Sequence, residues 1–335
     1  MVNNPSSPKV SVIIPVYGVE AYIERCARSL FEQTLKELEY VFVDDCSPDS
    51  SIEILRQVIE EYPHRRSQIK IVRMPSNGKQ AAARNMGLEH VTGEYVIHCD
   101  PDDWIENTMY EKLYDKAVNE DADIAVCDFT CIRKTGSEYV VVGNSISNPI
   151  EAIKYNIAGS SYTLWNRVVR RKLIHDFKIC FFDGINFMED RIFLVRCYLV
   201  ANKIAFVHEG LYNYNFLNDS SISNSSKKEY ILQQRIEGCT ALEAWFGERA
   251  LEFQNYFDYR KWLIKDDILR LKNYSTWRTT FPELNKSIMT NPHIPASFSY
   301  RLFCQLAVWH ITWPFDFVRW IKKLTRKFLK VGSKG

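Results

Sequence analysis

The sequence predicts an α/β fold: a Rossmann-like, mostly parallel sheet with flanking helices, followed by a helical C-terminal extension. Two observations carry this reading. Residues 10–16 form a near-continuous β-branched run, as a strand buried on both faces requires. Four more strand-like runs follow within the first 130 residues, each separated from the next by a stretch of helical length and spacing.

Taken in order, residues 21–34 place Ile23, Cys26, Ala27, Leu30 and Phe31 at helical spacing. Residues 40–43 are the second strand. Pro48 and Asp49 open a helix with Ile52, Leu55, Val58 and Ile59 on one face. Residues 69–73 are the third strand, 79–91 a helix, 95–99 the fourth strand, 107–119 a helix and 122–129 the fifth strand. Beyond Cys131 the pattern loosens. Gly, Ser and Asn recur as far as Asn148; a helix is expected over 150–157, a mixed segment over 162–193 and a loop over 212–228. Residues 229–290 read as helical. The expected division is a tail (1–8), an α/β domain (9–225, with halves 9–130 and 131–225), a helical region (226–300) and a basic aromatic segment (301–335).

Composition excludes little but is consistent. The chain has 335 residues, 46% hydrophobic and 25% charged, with ample material for a core. A formal net charge of +2 gives no overall field to attract nucleic acid, and none is expected as a partner. Nine Cys without a CxxC pair read as thiols of a reducing compartment. The first nine residues are polar, so export is not expected, and no 18-residue apolar run suggests a membrane span. Residues 301–335 carry eight Lys or Arg against one acid, Asp316, interleaved with seven aromatics. That mixture suits an anionic membrane surface; a terminal helix with a solvated basic tail is the plainer alternative.

Asp100-Pro101-Asp102-Asp103 follows the fourth strand directly. Three carboxylates in four residues are a costly cluster unless a cation neutralises them, and a divalent ion bridging to phosphate is one candidate. An ordinary turn with a capping Asp is the other. The second strand ends in Asp44-Asp45-Cys46-Ser47-Pro48-Asp49, where Ser47 or Asp49 suits a helix cap but Asp44 and Asp45 are left unexplained. The loop Pro15-Val16-Tyr17-Gly18 after the first strand is neither a dinucleotide fingerprint nor a P-loop. Phosphate must then be met by metal or side chains. A helix starting near Lys79 offers N–H groups and a positive end to phosphate, with Arg84 as a further contact or a solvated side chain.

These segments resemble family 2 glycosyltransferases. The resemblance rests on Ser11-Val12-Ile13-Ile14-Pro15-Val16-Tyr17, Val43-Asp44-Asp45-Cys46-Ser47, Ala83-Arg84-Asn85-Met86-Gly87 and Asp100-Pro101-Asp102-Asp103-Trp104, in that order. Trp165-Asn166-Arg167, Glu189-Asp190-Arg191-Ile192-Phe193, and Tyr212-Asn213-Tyr214 with Ser221-Ile222-Ser223 continue it, so that it covers roughly residues 8–225. Two departures stand out: Cys46 where Gly is usual, with a shifted turn as the expected result, and Pro101 within the D-x-D motif.

The resemblance implies a GT-A fold and an inverting transfer from a UDP-sugar with Mn²⁺ or Mg²⁺. It implies that Pro15, Tyr17 and Asp45 meet the base, that Asp100 and Asp102 bind ribose and metal-diphosphate with Asp103 as an alternative ligand, and that Arg84 lies near the donor. Asp190 matches the general base, with Glu189 beside it; the plain reading of that pair is acids in a helix's first turn. The halves 9–130 and 131–225 become the nucleotide-binding and acceptor halves. The expected acceptor is a glycan, lipid-linked, and the expected location is the cytoplasm, peripheral at the inner face of the cell membrane, as in capsule or lipopolysaccharide assembly. Processive members carry Q-x-x-R-W, whereas Asp316-Phe317-Val318-Arg319-Trp320 lacks the Gln, so single additions are expected. A sugar-nucleotide pyrophosphorylase would need a Gly- and Arg-rich loop that residues 15–25 do not supply. A catalytically dead glycan-binding scaffold sits poorly with intact acids at 45, 100, 102 and 190.

Overall fold

The computed structural model describes residues 7–143, 146–159, 163–218, 228–271, 273–311 and 313. The chain divides into two compact units, Met1–Lys228 and Glu229–Gly335.

In the first unit the elements run β1 (Val10–Val16), α1 (Ile23–Phe31), β2 (Leu38–Asp44), α2 (Ser51–Glu61), β3 (Ile69–Arg73), α3 (Lys79–His90), β4 (Tyr95–His98), β5 (Trp104–Ile105) and α4 (Met109–Asn119). Then come β6 (Ile124–Arg133), β7 (Gly136–Val140), α5 (Pro149–Ala158), β8 (Arg167–Arg170), α6 (Arg171–Asp176), α7 (Glu189–Val200) and β9 (Ile204–Asn215). Among the described residues these strands form one sheet in the order β3-β2-β1-β4-β8-β6-β9-β5, with β7 pairing β6.

The α/β sheet with flanking helices is as the sequence predicts. Parallel pairing joins β1 to β2 and β4, β2 to β3, and β6 to β9. The remaining pairs are antiparallel: β8 lies between β4 and β6, β7 folds back on β6, and β5 borders β9. Since β1, β2 and β4 run in parallel, their carboxyl ends open on one edge of the sheet, with Val16 opposite Asp44 and Ile13 opposite His98. Ligands of open α/β sheets bind beyond that edge.

The packing of α3 on the sheet is close. Ala81, Ala83, Arg84 and Gly87 are its buried residues. A Cβ at Gly87 would stand 2.4 Å from Ile13 Cγ2, so only glycine permits this approach.

The expected loop over 212–228 is in part strand, since Tyr212–Asn215 ends β9. Asn and Tyr mask the alternation there, and two residues of β5 are its antiparallel partner. Strands β5, β7 and β8 were hidden for the same reason: each has five residues or fewer and takes its place from its neighbours. Residues 1–6, 219–227, 312 and 314–335, with Ser221-Ile222-Ser223 and most of the expected basic segment, lie outside the described residues.

The second unit is helical, as expected: α8 (Lys228–Phe246), α9 (Gln254–Arg270), α10 (Tyr274–Thr279), α11 (Pro282–Ser287) and α12 (Phe298–Val308). Phe246, Phe253, Phe257, Trp262, Trp277 and Ile288 are buried within it. Lys261 is buried and paired with Glu243 and Glu283, each at 2.7 Å. The expected boundary at 301 falls inside α12. Among the described residues no helix is long and apolar enough to cross a membrane.

Candidate active site

Three strand ends supply the site. After β1, Tyr17 stands 51% exposed at the rim. The turn that follows is laced to the end of β2: Gly18 N donates to Ser47 Oγ at 2.9 Å, Val19 N to Ser51 Oγ at 3.0 Å, and Glu20 N to Asp49 Oδ2 at 2.9 Å. Asp49 also accepts from Ser47 Oγ and from both N and Oγ of Ser51. Ser47 and Asp49 are therefore loop-fixing residues; the N-cap of α2 is Ser50, and of the two expected caps only Asp49 meets a helix N–H, that of Ser51. Asp44 Oδ1 accepts from Ser47 N at 2.9 Å.

Asp45 is buried, and its Oδ1 accepts from Gly78 N at 2.7 Å, at the start of α3. Burial pushes its carboxyl upward, and the backbone N–H groups of Gly78 and Lys79 oppose that. Ala81 N donates to Asn186 Oδ1 at 3.1 Å. The first turn of α3, expected to meet phosphate, is thus already bonded to side chains. Cys46 stands at φ 57°, the left-handed conformation. The cysteine takes the backbone conformation that favours glycine.

The acid loop after β4 sorts its three carboxylates. Asp103 is fully buried and accepts from Tyr212 Oη at 2.6 Å and Asn215 N at 2.7 Å. Burial and its two acidic neighbours hold its carboxyl well above the ordinary range. It fastens the loop to β9. Asp100 N donates to the same Tyr212 oxygen at 3.2 Å. Asp102 accepts from Asn218 Nδ2 at 2.8 Å, while its carbonyl takes Asn215 Nδ2 at 3.0 Å and Arg25 Nη2 at 3.2 Å. Burial, then the charge of Asp100, raises the Asp102 carboxyl.

Arg84 joins this loop to the start of α7. Its side chain is wholly buried; Nη2 lies 3.0 Å from Asp100 Oδ1, and Nη1 lies 3.1 Å from Glu189 Oε1 and contacts Asp190 Oδ1. Two asparagines hold the intervening chain in place. Asn85 exchanges two hydrogen bonds with the Phe181 backbone, at 3.0 and 2.8 Å, and Asn186 bonds α3 as above. Met188, immediately before the two acids, adopts φ 92°, a strained conformation of the kind that gathers at functional sites. The Arg84 guanidinium is engaged with three acids. One cation facing three carboxylates leaves an excess of negative charge. Burial raises Glu189, and the charge of Asp190 raises it further. Burial also raises Asp190, with Arg84 opposing.

Asp100 and Asp102, both partly exposed, are hard oxygen donors of the kind a divalent cation takes. Among the described residues no three His, Cys, Asp or Glu converge on one point. Two carboxylates with phosphate oxygens completing the shell suit Mn²⁺ or Mg²⁺, and the residues fit that group. Trp165 is buried, and its ring stacks on Tyr212 at 3.9 Å and Tyr214 at 5.4 Å. A separate cavity of about 690 Å³ touches the loop at Trp104 and contains none of Asp45, Asp100, Asp102 or Asp190 in its wall.

The sequence of residues 11–177 matches the model of the family described as "Glycosyl transferase family 2". A Haemophilus influenzae protein described as an uncharacterised glycosyltransferase is 30% identical over 227 residues, 66% of this chain and 83% of that protein. The chain belongs to family 2 of the glycosyltransferases. Another relative in the family, the uncharacterised glycosyltransferase EpsJ of Bacillus subtilis, is 31% identical over 214 residues, 62% of this chain and 61% of EpsJ, so the match spans less than two thirds of that protein. The fold is also that of S. aureus TarS 1–349, solved in complex with UDP-GlcNAc (TM-score 0.63, 19% identity, covering 95% of this chain and 92% of that one). These likenesses bear out the family and the GT-A-like fold. Glu189 and Asp190 lie beyond the matched family span, and the geometry around Arg84 is what ties them to the strand-end residues. Asn186 and Asn218 carried no signal in the sequence, because their partners are remote in the chain.

Proposed function

We propose that this chain is an inverting glycosyltransferase that moves a single sugar from a UDP-sugar to a hydroxyl of a glycan, lipid-linked, in cell-surface polysaccharide synthesis. The observation that carries the reading is Arg84 bound at once to Asp100 and to Asp190, ninety residues apart. That contact supports dividing the work between two groups, Asp190 as base and Asp100 toward the diphosphate, as an inverting transfer requires. Family membership and the UDP-GlcNAc complex of TarS support the donor class.

In this reading Pro15, Tyr17 and Asp45 receive the base, and Asp100 and Asp102 would hold Mn²⁺ or Mg²⁺. When bound, the ion would supply Lewis-acid stabilisation of the departing diphosphate. Asp190 takes the proton of the acceptor hydroxyl. Its raised affinity for protons makes it a stronger base than an ordinary aspartate, and Arg84 orients it. Residues 9–130 are the nucleotide half and 131–225 the acceptor half. The basic aromatic C-terminus would keep the enzyme in the cytoplasm at the inner membrane face, where a lipid-linked acceptor is presented.

The test is a panel of UDP-sugars assayed for turnover and for transfer to extracted glycolipid, with and without EDTA. Asp190→Asn should abolish transfer and leave UDP binding intact. Transfer that survives this substitution would remove Asp190 as base; turnover untouched by EDTA would remove the metal.

A further inference from the structure

Helix α12 is fixed to the second unit on one side and open on the other. Cys304 and Ala307 are fully buried. Arg301 clamps the start of the helix to the preceding loop, donating to the carbonyls of Ile288, Asn291, Ile294 and Ala296 at 2.6–3.1 Å. Arg278 reaches the Ala307 carbonyl at 3.3 Å. The opposite face carries Phe298, Leu302 and Trp309, 71%, 42% and 60% exposed. Their spacing of four and then seven residues puts all three on one stripe at 3.6 residues per turn. Trp313, 67% exposed, comes next. Large apolar side chains gathered on one solvent-facing stripe mark an interaction surface rather than scattered exposure.

The sequence that follows decides the occupant. Residues 314–335 contain seven Lys or Arg against Asp316 alone, with Phe315, Phe317, Trp320 and Phe328 among them. Arg301 is not part of that charge, because its guanidinium is used inside the unit. A partner for an aromatic ridge continuous with a strongly cationic segment must be both apolar and anionic over a broad surface. We infer that the α12 ridge of Phe298, Leu302 and Trp309 docks on a bilayer containing anionic lipids, with the cationic segment adding electrostatic attraction. The inference deepens the membrane part of the proposed function. It assigns the apolar contact to a folded, pre-organised helix upstream of the basic tail, so binding has a component that salt does not remove.

The experiment is co-sedimentation of the full chain with phosphatidylglycerol/phosphatidylcholine vesicles at low and high salt. Wild type should bind at low salt and retain a residual fraction at high salt, where exposed charges are screened. The Phe298→Ser/Trp309→Ser variant should weaken partition by roughly tenfold or more, since two large apolar side chains no longer leave water, and should lose the salt-resistant fraction. Gln at Lys322, Lys323, Arg326 and Lys327 should remove only the salt-sensitive part. Both ridge positions are exposed and should accept Ser without loss of fold, which an unchanged melting temperature would verify. Ridge substitutions without effect would overturn the inference in favour of the charged tail alone. Wild type that ignores vesicles would also overturn it; a dimer broken by the ridge variant would then identify a second copy as occupant, and a monomer would identify the chain's own tail. Asp190→Asn should bind vesicles as wild type does, so the failure of the transfer reading and the failure of this one are separable.

Discussion

Arg84 Nη2 stands 3.0 Å from Asp100 Oδ1, with the guanidinium fully buried in α3 and its other nitrogen on the two acids that begin α7. A single planar cation thereby sets the distance between the end of β4 and the start of α7. Lysine has one compact ammonium and cannot reproduce this fork. Arg84→Lys should lose at least one charge-assisted bond, about 1.5–3 kcal/mol. If all of it appears in the transition state, transfer falls by roughly 10- to 150-fold. Arg84→Met leaves the acids unpaired and should cost about 3–5 kcal/mol of stability. Steady-state rates and urea unfolding read the two effects. A Lys variant with wild-type transfer would show that the fork does not position the base.

The raised carboxyls of Glu189 and Asp190 make a prediction with a definite sign. Unfolded, both titrate near ~4; folded, burial holds both above that. The folded state therefore keeps protons that the unfolded state has released, and stability falls as pH rises from about 4 through the folded values. Glu189→Gln should flatten that decline. The acid limb of the transfer rate should lie above the ordinary carboxylate range, because burial raises Asp190; Glu189 is raised further and is neutral where Asp190 titrates, so Glu189→Gln should leave the limb in place. Unfolding at several pH values and a rate profile test both; a limb moved to lower pH by Glu189→Gln would show that Glu189 is ionised where Asp190 titrates.

The acid loop divides its carboxylates by burial and partners. Asp103 meets two protein donors from β9, whereas Asp100 and Asp102 are partly exposed. Asp103→Asn should lower stability by about 1–3 kcal/mol, since the amide turns an N–H toward a donor, with Mn²⁺ affinity little changed. Asp102→Asn should do the reverse, losing Mn²⁺ affinity with a near-normal melting temperature. Calorimetric titration with Mn²⁺ beside thermal unfolding distinguishes them, and the opposite pattern would return Asp103 to the metal.

Local signals made part of this readable in advance. The strand runs at 10–16 and 69–73 agree with β1 and β3 residue for residue: β1 is the continuous apolar run of a buried parallel strand, and β3 is a short β-branched run at the end of the sheet order, none of it buried. Asp44 and Asp45 stood out as carboxylates that capping left unexplained, whereas Asp100 and Asp102 were as readily a turn and Asp190 rested on the family resemblance. What stayed hidden was long-range. Nothing near Asp103 in sequence announces Tyr212 and Asn215, and nothing near Arg84 announces that it binds Glu189, 105 positions away, rather than phosphate. Short strands β5 and β8 have too few residues to display a period, and register with their neighbours alone defines them.

Cys46 offers a stability test at the rim of the site. Its φ of 57° is unfavourable for a side chain with a Cβ, by roughly 1–2 kcal/mol. Glycine removes that strain but gives the unfolded chain more freedom, about 0.5–1 kcal/mol in the other direction. Its Sγ contact with the Met74 carbonyl at 3.2 Å would also be lost. Cys46→Gly should therefore be neutral to mildly stabilising, while the β-branched Cys46→Val should destabilise clearly. Equal losses from both substitutions in thermal unfolding would show that the thiol contact, not the backbone, governs this turn.

Gly87 tests how tightly the fold fixes Arg84. Gly87 lies three residues beyond Arg84 on α3, against β1, and a methyl there would come within 2.4 Å of Ile13 Cγ2 and 3.2 Å of its Cγ1. Alanine is the better helix former by about 1 kcal/mol, so a loosely packed helix would gain from Gly87→Ala. Here Ile13 is wholly buried and has no room to yield. Overpacking of this kind costs about 1–3 kcal/mol, which outweighs the propensity gain and pushes α3 off the sheet. Arg84 moves with the helix, so Gly87→Ala should lose transfer activity along with stability. The double variant Gly87→Ala/Ile13→Val, which opens space under the new methyl, should recover part of both. Stabilisation by Gly87→Ala alone would mean that α3 is not held against β1 at this point, and that the position of Arg84 is set by its acidic partners rather than by the helix that carries it.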